Sequence, residues 1–225
     1  MKFVDFLRAD ILKSIWFNFR CLPLGTAWKL PVLLYPRTKV YSSRGRIEIT
    51  GKVKTGMIKF GREEALPCAR ETTCLQIEGT VIFEGKAFFG SGSRISVDEG
   101  AVLRVGDHME ATGNLAVLCR KEITFGKNCG ISWNTQFLDS DRHWIGDANG
   151  NKINPDAPIH IGEHVWIGCN CTILKGVSIP NTIIVAAGST VAKSISTPGC
   201  IVGQGSPLRT FREGISWLPS DPPHV

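Results

Sequence analysis

Hydrophobic residues recur at every sixth position through the last third of the chain. Written in sixes from residue 161, the sequence reads IGEHVW, IGCNCT, ILKGVS, IPNTII, VAAGST and VAKSIS. Each unit begins with Ile or Val. The fifth position is small or apolar in every unit: Val165, Cys171, Val177, Ile183, Ser189 and Ile195. The intervening positions are mostly Gly, Asn, Lys, Thr or Ala, so two positions are constrained and four are permissive.

A period of six fits neither simple secondary structure. An amphipathic helix repeats about every 3.6 residues and a half-buried strand about every 2. A six-residue repeat is typical of a parallel β-helix, in which each unit supplies one short strand and one turn, and three units complete a triangular coil. The first-position Ile or Val then points inward and stacks on its counterpart in the next coil, because β-branched side chains fit a pleated, buried surface.

The same spacing extends upstream of residue 161. The positions that keep it are Ile77, Phe83, Phe89, Ile95, Val105, Ala111, Val117, Phe125, Ile131 and Phe137. The phase slips between these stretches, which indicates irregular corners. Residues 138–158 carry no repeat and are rich in Asp, Asn, Gly and Pro, residues that initiate turns. This segment predicts a protruding loop, and loops on a rigid scaffold are where chemistry is often found.

The two ends of the chain predict caps. In residues 1–20 the apolar residues recur at three- and four-residue steps, which predicts an amphipathic helix. A stacked prism exposes strand edges at both ends, and these must be covered. We therefore divide the chain into an N-terminal helical capping segment (1–40), a β-helix domain (41–205) with the loop at 138–158, and a C-terminal extension (206–225). Two alternatives remain for the apolar face of this helix. It packs on the body of the protein or on a neighbouring subunit, or it rests on a membrane surface.

Composition and charge narrow the setting without deciding the function. The chain has 26 Lys and Arg against 20 Asp and Glu, a net charge of +6. That excess suits an anionic small molecule, a membrane surface or nucleic acid. The eight cysteines include no CxxC pair and no metal-type spacing, which predicts reduced thiols in a cytoplasmic protein. The N-terminal stretch lacks a clean apolar run and a small-residue cleavage site, so we expect neither a secretory signal nor a membrane span.

Two stretches carry a family resemblance: PIHIGEHVWIGCNCTILKGVSIPNTIIVAAGSTVAKSI and IVGQGSPLRTFR. They resemble the hexapeptide-repeat acetyltransferases, and especially the sugar and capsular-polysaccharide O-acetyltransferases. The resemblance covers about residues 125–212. It implies an all-β fold, a left-handed parallel β-helix, with acetyl-CoA as co-substrate, no metal, and a homotrimer whose active sites lie between neighbouring prisms. It also implies a saccharide acceptor, from a capsule, O-antigen or related surface-glycan precursor.

Residues 1–60 resemble the leader of capsule and lipopolysaccharide acetyltransferases. That similarity implies a saccharide hydroxyl as acceptor, with a lipid-linked intermediate at the inner membrane face as an open alternative. We expect a cytoplasmic protein, with peripheral contact at that membrane face through the N-terminal helix also open. We expect no nucleic-acid partner.

The resemblance also implies a catalytic histidine in the loop, and His143 is the residue in that place. A hydroxyl is a poor nucleophile until a base takes its proton, and imidazole, with an ordinary pKa near ~6.5, suits that role near neutral pH. Asp139 and Asp141 lie just before it, close enough for one carboxylate to accept from the second imidazole nitrogen. Spacing does not choose between them, and either one can instead stabilise a turn.

On the cofactor side, the resemblance places six residues against substrate or cofactor: Trp166, Cys169, Ala187, Lys193, Arg209 and Arg212. Trp166 has an outward phase and is expected to line a groove. The three cations suit the phosphates of CoA, with solvated surface charge as the alternative. Ala187 lets a ligand approach the backbone. Cys169 has no evident activating base, so we do not expect a nucleophilic thiol. A lengthening around residues 198–204 departs from the family's pattern.

Two other functions fit parts of the pattern. The first is a non-catalytic scaffold, or an N-acetyltransferase acting on an amino sugar or a small-molecule xenobiotic, since the fold is reused for many acceptors. The second is a zinc enzyme resembling the γ-class carbonic anhydrases, with His143, His160 and His164 as ligands. His160 alternates with inward Ile159 and Ile161, however, and is expected to face solvent. The spacing of His143 and Asp147 matches an HxxxD box, but that box belongs to an α/β fold.

Overall fold

The computed structural model describes residues 6–63, 68, 70–143, 145, 147–149, 151–203 and 209–213, with side chains through residue 203. The helices α1 (Ile11–Cys21) and α2 (Leu24–Ala27) precede the strands. Neither these helices nor any other in the described ranges is long and apolar enough to cross a membrane.

The strands form three sheets, which are the faces of a prism. The first face contains β1 (Val32–Leu34), β4 (Ile58–Arg62), β7 (Ala87–Gly90), β10 (Met109–Ala111), β13 (Gly130–Ile131), β16 (Trp166–Ile167), β19 (Ile184–Val185), β21 (Cys200–Gly203) and β22 (Arg209–Glu213). The second contains β2 (Thr38–Ser43), β5 (Thr73–Ile77), β8 (Arg94–Val97), β11 (Ala116–Cys119), β14 (Gln136–Leu138), β17 (Thr172–Leu174) and β20 (Thr190–Val191). The third contains β3 (Arg46–Ile49), β6 (Thr80–Phe83), β9 (Val102–Val105), β12 (Glu122–Phe125), β15 (Ile159–Ile161) and β18 (Ser178–Ile179).

From β1 to β20 successive strands visit the three faces in turn, and each strand from β1 to β17 pairs in parallel with the third strand after it. In β16 and β19, for example, Ile167 lies in register with Val185. Every three strands therefore complete one coil, which confirms the parallel β-helix predicted from the six-residue period.

The predicted aliphatic column forms the core of the prism. Its members are 2% exposed or less: Ile161, Ile167, Ile173, Ile179, Val185 and Val191. The fifth-position residues from Val165 to Ser189 are buried as well, whereas Ile195 is only partly buried because the chain has left β20 by that point. In the earlier coils aromatic rings fill the same interior; the rings of Phe60 and Phe89 stack with centroids 4.7 Å apart.

The corners explain the polar positions of the repeat. Asn114, Asn134 and Asn170 follow strands of the first face and have φ values of 46° to 58°. A left-handed backbone is tolerated best by Gly and by Asn, whose side chain can bond locally. Glycine takes over at the next coil, where Gly188 has φ of 74°. The permissive positions of the repeat are therefore those that must turn the chain.

The N-terminal segment caps the first coil with polar side chains on α1. Asn18 donates from Nδ2 to the carbonyl oxygen of Val32 (2.7 Å) and accepts at Oδ1 from the Val32 N–H (3.1 Å). The hydroxyl of Ser14 accepts from the Leu34 N–H (2.9 Å). These bonds satisfy the edge of β1 that faces away from β4, so the exposed strand edge expected at this end is covered.

The boundary of the prism differs from the predicted one. β1 and β2 begin at Val32 and Thr38 and pair with later strands, so the first coil starts inside the segment assigned to the cap. β1 has only three residues, too few for the six-residue repeat to be recognised there from the sequence. At the other end β22 pairs antiparallel with β21. The remainder of the extension predicted at 206–225 lies outside the described residues.

Candidate active site

The predicted loop leaves the prism at the corner between the second and third faces. β14 ends at Leu138 and β15 begins at Ile159, so the loop comprises residues 139–158. A hydrogen bond joins the two ends of the loop: the Ser140 hydroxyl donates to Oδ1 of Asp156 at 2.6 Å. The loop is therefore closed at its base, as a protrusion from a continuous helix requires.

Asp139 serves the corner of the prism. Its side chain is fully buried, and its two carboxylate oxygens accept from the backbone N–H groups of Arg120, Lys121 and Glu122 at 2.8 to 2.9 Å. These donors belong to the turn in the preceding coil, which would otherwise hold unpaired N–H groups. The structure does not join Asp139 to His143, and the geometry matches the alternative in which this carboxylate stabilises a turn.

Asp141 anchors the loop to the next coil. Its carboxylate accepts from Nζ of Lys175 and, at 2.9 Å, from Nδ2 of Asn154. The hydrogen bond from Lys175, followed by that from Asn154, lowers the pKa of Asp141 below its ordinary value of 3.8. The carboxylate is therefore ionised at neutral pH and ties the loop to the end of β17.

His143 lies on the exposed part of this loop. The preceding residue, Arg142, has a left-handed backbone (φ 58°) and pairs through its guanidinium with Asp98 at 3.1 Å. The His143 side chain is exposed, and among the described residues no hydrogen bond to its imidazole is found. The histidine is thus presented to solvent from a backbone that is fixed on the prism.

Asn154 is the residue that sequence reasoning missed. It is 7% exposed, and its amide contacts the backbone on both sides of residue 144. Nδ2 donates to the carbonyl oxygen of His143 (2.8 Å), and Oδ1 accepts from the N–H of Ile145 (2.8 Å). With the bond to Asp141, this one side chain fixes three points of the loop. The loop contains three asparagines, Asn149, Asn151 and Asn154, and the sequence does not distinguish the last from the turn residues around it.

Trp166 is exposed on the first face and lines a depression there. Along this face Glu110, Gly130 and Trp166 are in register on adjacent strands. Gly130 has no side chain, so a depression of about 590 Å³ lies between its two neighbours. The indole Nε1 donates to the Ser132 hydroxyl at 3.3 Å, which orients the ring along the wall of the groove.

The groove continues into a cationic region. A cavity of about 300 Å³ shares His108 and Glu110 with it and is also lined by Lys54 and Lys86. This end of the face therefore offers positive charge beside the aromatic wall.

The remaining cofactor candidates lie on the edges of the prism. Cys169 and Ala187 occupy stacked corners between the first and second faces, where the Gly188 N–H donates to the carbonyl oxygen of Cys169 at 2.8 Å. Cys169 is partly buried and Ala187 exposed. Lys193 is exposed and follows β20. Arg209 and Arg212 lie in β22, in register with Gly203 and Ile201, and their side chains are outside the described residues.

Within one chain, Trp166, Cys169 and Ala187 are separated from His143, whereas Lys193 follows β20 at the corner from which the loop leaves. His143 stands at the corner between the second and third faces, whereas Trp166 lies on the first face. Cys169 and Ala187 follow the strands of that first face. The second face lies between these corners and the loop, so a single prism does not bring the histidine to the groove.

The described residues contain no group of three or more His, Cys, Asp and Glu side chains that could hold a metal ion. His160 is exposed on β15 between buried Ile159 and Ile161, and His164 turns the next corner with φ of 58°. All eight cysteines are free. Burial raises the pKa of the Cys21 and Cys129 thiols to about 11, which makes them poor nucleophiles.

Comparison with known proteins gives relatives that include O-acetyltransferases. No family model matches the chain. The chain is 32% identical to galactoside O-acetyltransferase of Escherichia coli (strain K12) over 114 residues, which are 51% of this chain and 55% of that protein. It is 37% identical to polysialic acid O-acetyltransferase of Neisseria meningitidis over 65 residues, 28% of this chain and 30% of that protein. The chain thus spans about half the length of the first relative and less of the second.

Among solved structures, the crystal structure of NeuO, a polySia-specific acetyltransferase, covers 86% of this chain and 87% of its own, with a TM-score of 0.52 and 23% identity. This likeness concerns the fold, a left-handed parallel β-helix, and confirms the fold class predicted from the sequence. The relatives' names confirm the predicted resemblance to sugar and polysaccharide O-acetyltransferases.

Proposed function

We propose that this protein transfers an acetyl group from acetyl-CoA to a hydroxyl group of a saccharide, with His143 as the general base. The observation that carries the proposal is the exposed imidazole of His143 on a loop whose backbone Asn154 holds at residues 143 and 145. O-acetyltransferases among the relatives support the reaction type.

His143 acts on the acceptor hydroxyl. Its imidazole takes the hydroxyl proton as the oxygen forms a bond to the carbonyl carbon of the thioester. When the carbon–sulfur bond breaks, the imidazolium returns this proton to the sulfur. The products are an acetyl ester and free CoA, and the histidine is regenerated. Acetyl-CoA supplies the activated acyl group, and the protein's part is to hold acceptor and base in line.

Of the two candidate carboxylates, Asp141 fits an orienting role better than Asp139. Asp139 is buried and already accepts three backbone N–H bonds. Asp141 is half-exposed on the same loop as His143 and is kept ionised by Lys175. An ionised carboxylate is the form that can accept from an imidazole N–H.

Acetyl-CoA fits the edge of the prism beside the groove. Cys169, Ala187 and Gly188 leave a strip of small residues where a narrow chain can lie against the backbone. Trp166 offers an apolar wall on one side of this strip. Lys193, across the second face at the corner of the loop, offers a charge for phosphate. We propose Arg209 and Arg212 for the same phosphates, on the resemblance alone.

The active site is proposed to form between two copies of the chain in a homotrimer. A single prism keeps His143 away from the groove at Trp166, so a second prism must supply one of them. The cationic end of the groove, with Lys54 and Lys86, supports an acceptor that carries a carboxylate or a phosphate. A surface-glycan precursor linked to a nucleotide or a lipid meets that description.

The test is transfer of a labelled acetyl group from acetyl-CoA to a panel of nucleotide-linked and lipid-linked sugars, with amino sugars included. His143→Ala is expected to lower turnover by roughly 10²- to 10⁴-fold. His160→Ala, which removes an exposed histidine outside the loop, is the matched control and should retain activity. Full transfer by His143→Ala would sink the mechanism, and a product acetylated on nitrogen would replace the O-acetyltransferase assignment.

The shared site has its own test. His143→Ala and Trp166→Ala chains are unfolded together and refolded as a mixture. If one prism supplies the base and its neighbour the groove, mixed assemblies regain part of the activity that each variant lacks alone. A mixture no more active than the two variants measured separately contradicts a site shared between copies.

A further inference from the structure

Helix α1 has a second face that the capping of the prism leaves uncovered. Ser14, Phe17, Asn18 and Cys21 are buried against the first coil. On the opposite side Leu12 is 82% exposed and Trp16 49% exposed, with Ile15 beside them. These residues are three and four apart and so lie on one side of the helix.

The same apolar surface extends onto the next helical segment. Phe19 meets the ring of Trp28 edge-on with centroids 4.9 Å apart, and Trp28 is 75% exposed. We call the surface formed by Leu12, Ile15, Trp16, Phe19 and Trp28 the outer cap face. Single exposed apolar side chains are common on proteins, but a contiguous group with two tryptophans marks a surface that meets something.

Positive charge surrounds the outer cap face. Between residues 6 and 40 the chain has one acidic residue, Asp10, which pairs with Lys13 at 3.0 Å. In the same segment Arg8, Arg20 and Lys29 are exposed. Lys39 lines a shallow depression together with Trp16. Glu78 lines a second depression beside Trp16, where it is paired with Arg44.

We propose that the outer cap face docks on the surface of a bilayer containing anionic phospholipids. Tryptophan favours the level of the lipid headgroups, while the aliphatic side chains reach the acyl boundary and Arg and Lys meet the phosphates. A second copy of this face is a poorer partner, because a two-fold contact would bring Arg8, Arg20 and Lys29 against the same charges on the other copy. The docking goes beyond acetyl transfer and does not depend on it.

The experiment is flotation of the full chain with two kinds of vesicle, one of phosphatidylcholine alone and one of phosphatidylcholine mixed with phosphatidylglycerol. We expect binding to the mixed vesicles and much weaker binding to the neutral ones. Trp16→Gln with Trp28→Gln should abolish flotation. Arg20→Ser with Lys29→Ser should weaken it roughly tenfold to thirtyfold. The matched control, Arg104→Ser with Lys127→Ser, removes the same charge from the body of the prism and should bind like wild type.

Three results would overturn the proposal. They are no flotation of the wild-type chain, equal flotation of the tryptophan variant, and a smaller assembly size of that variant in the absence of vesicles. The last result would assign the outer cap face to contact between copies. Acetyl transfer to a water-soluble acceptor should be unchanged in these variants, so a failure of docking is distinguishable from a failure of the proposed reaction.

Discussion

Replacing Asn18 with alanine tests how the first coil is closed. The Asn18 side chain is fully buried and makes two bonds to Val32, one to its N–H and one to its carbonyl oxygen. Alanine removes both partners and leaves two backbone groups without a bond at a buried strand edge. A buried polar group that loses its partner costs about 1 to 3 kcal/mol, so the loss should be roughly 2 to 5 kcal/mol. A typical domain is stable to unfolding by about 5 to 15 kcal/mol, so this loss is a large share of the total.

Urea denaturation followed by circular dichroism measures this loss as a shift in the unfolding midpoint at an unchanged slope. Ser14→Ala, which frees the Leu34 N–H, should give a smaller loss. Ile15→Ala, on the outer side of α1, is the control and should stay within about 0.5 kcal/mol of wild type. If Asn18→Ala unfolds at the wild-type midpoint, water or another group satisfies the edge and the capping argument is wrong. Faster aggregation of the variant would agree with an exposed edge.

Four further predictions concern the site. Asn154→Ala should lower turnover roughly 10- to 100-fold with little change in the KM for acetyl-CoA, because the loop backbone loses its hydrogen bonds at residues 143 and 145. Asn149→Ala in the same loop is the control. Equal losses of turnover in the two variants would contradict a positioning role for Asn154. Lys175→Met should speed proteolysis of the loop at neutral pH. The difference from wild type should vanish as pH falls below the pKa of Asp141, which lies under its ordinary 3.8, since that carboxylate is then protonated in both; a difference that persists in acid argues against the anchor. Gly130→Leu fills the groove and should raise the KM of the acceptor severalfold in steady-state assays, whereas Gln136→Leu on the second face should not; unchanged kinetics would place the acceptor elsewhere. Only Cys74 and Cys169 are partly exposed, so a thiol reagent should modify these two in the folded protein. Acetyl-CoA should slow the reaction of Cys169 but not that of Cys74, as followed by mass spectrometry, and equal rates would remove Cys169 from the cofactor site.

The sequence alone determined the repeat, the core and the place of the loop. Each six-residue unit places the same two positions inward. The pattern of Ile and Val can therefore be recognised along the chain without knowing which segments become neighbours. The segment 138–158 was recognised because it breaks that pattern. The turn residues follow from the same local rule, since Asn and Gly stand where the backbone must become left-handed.

The tertiary structure decided what the polar side chains do. Asp139 and Asp141 are two residues apart and looked equivalent, yet one points into the corner of the preceding coil and the other toward Lys175 of the next. Asn18 and Asn154 looked like ordinary polar residues, but each bonds to backbone more than ten residues away. Hydrogen-bond partners depend on which coils become neighbours and on the direction in which each side chain points. The six-residue period of the sequence contains neither piece of information. The separation of His143 from Trp166 follows from the same cause, because the face on which a residue lies is set by the winding of the coil.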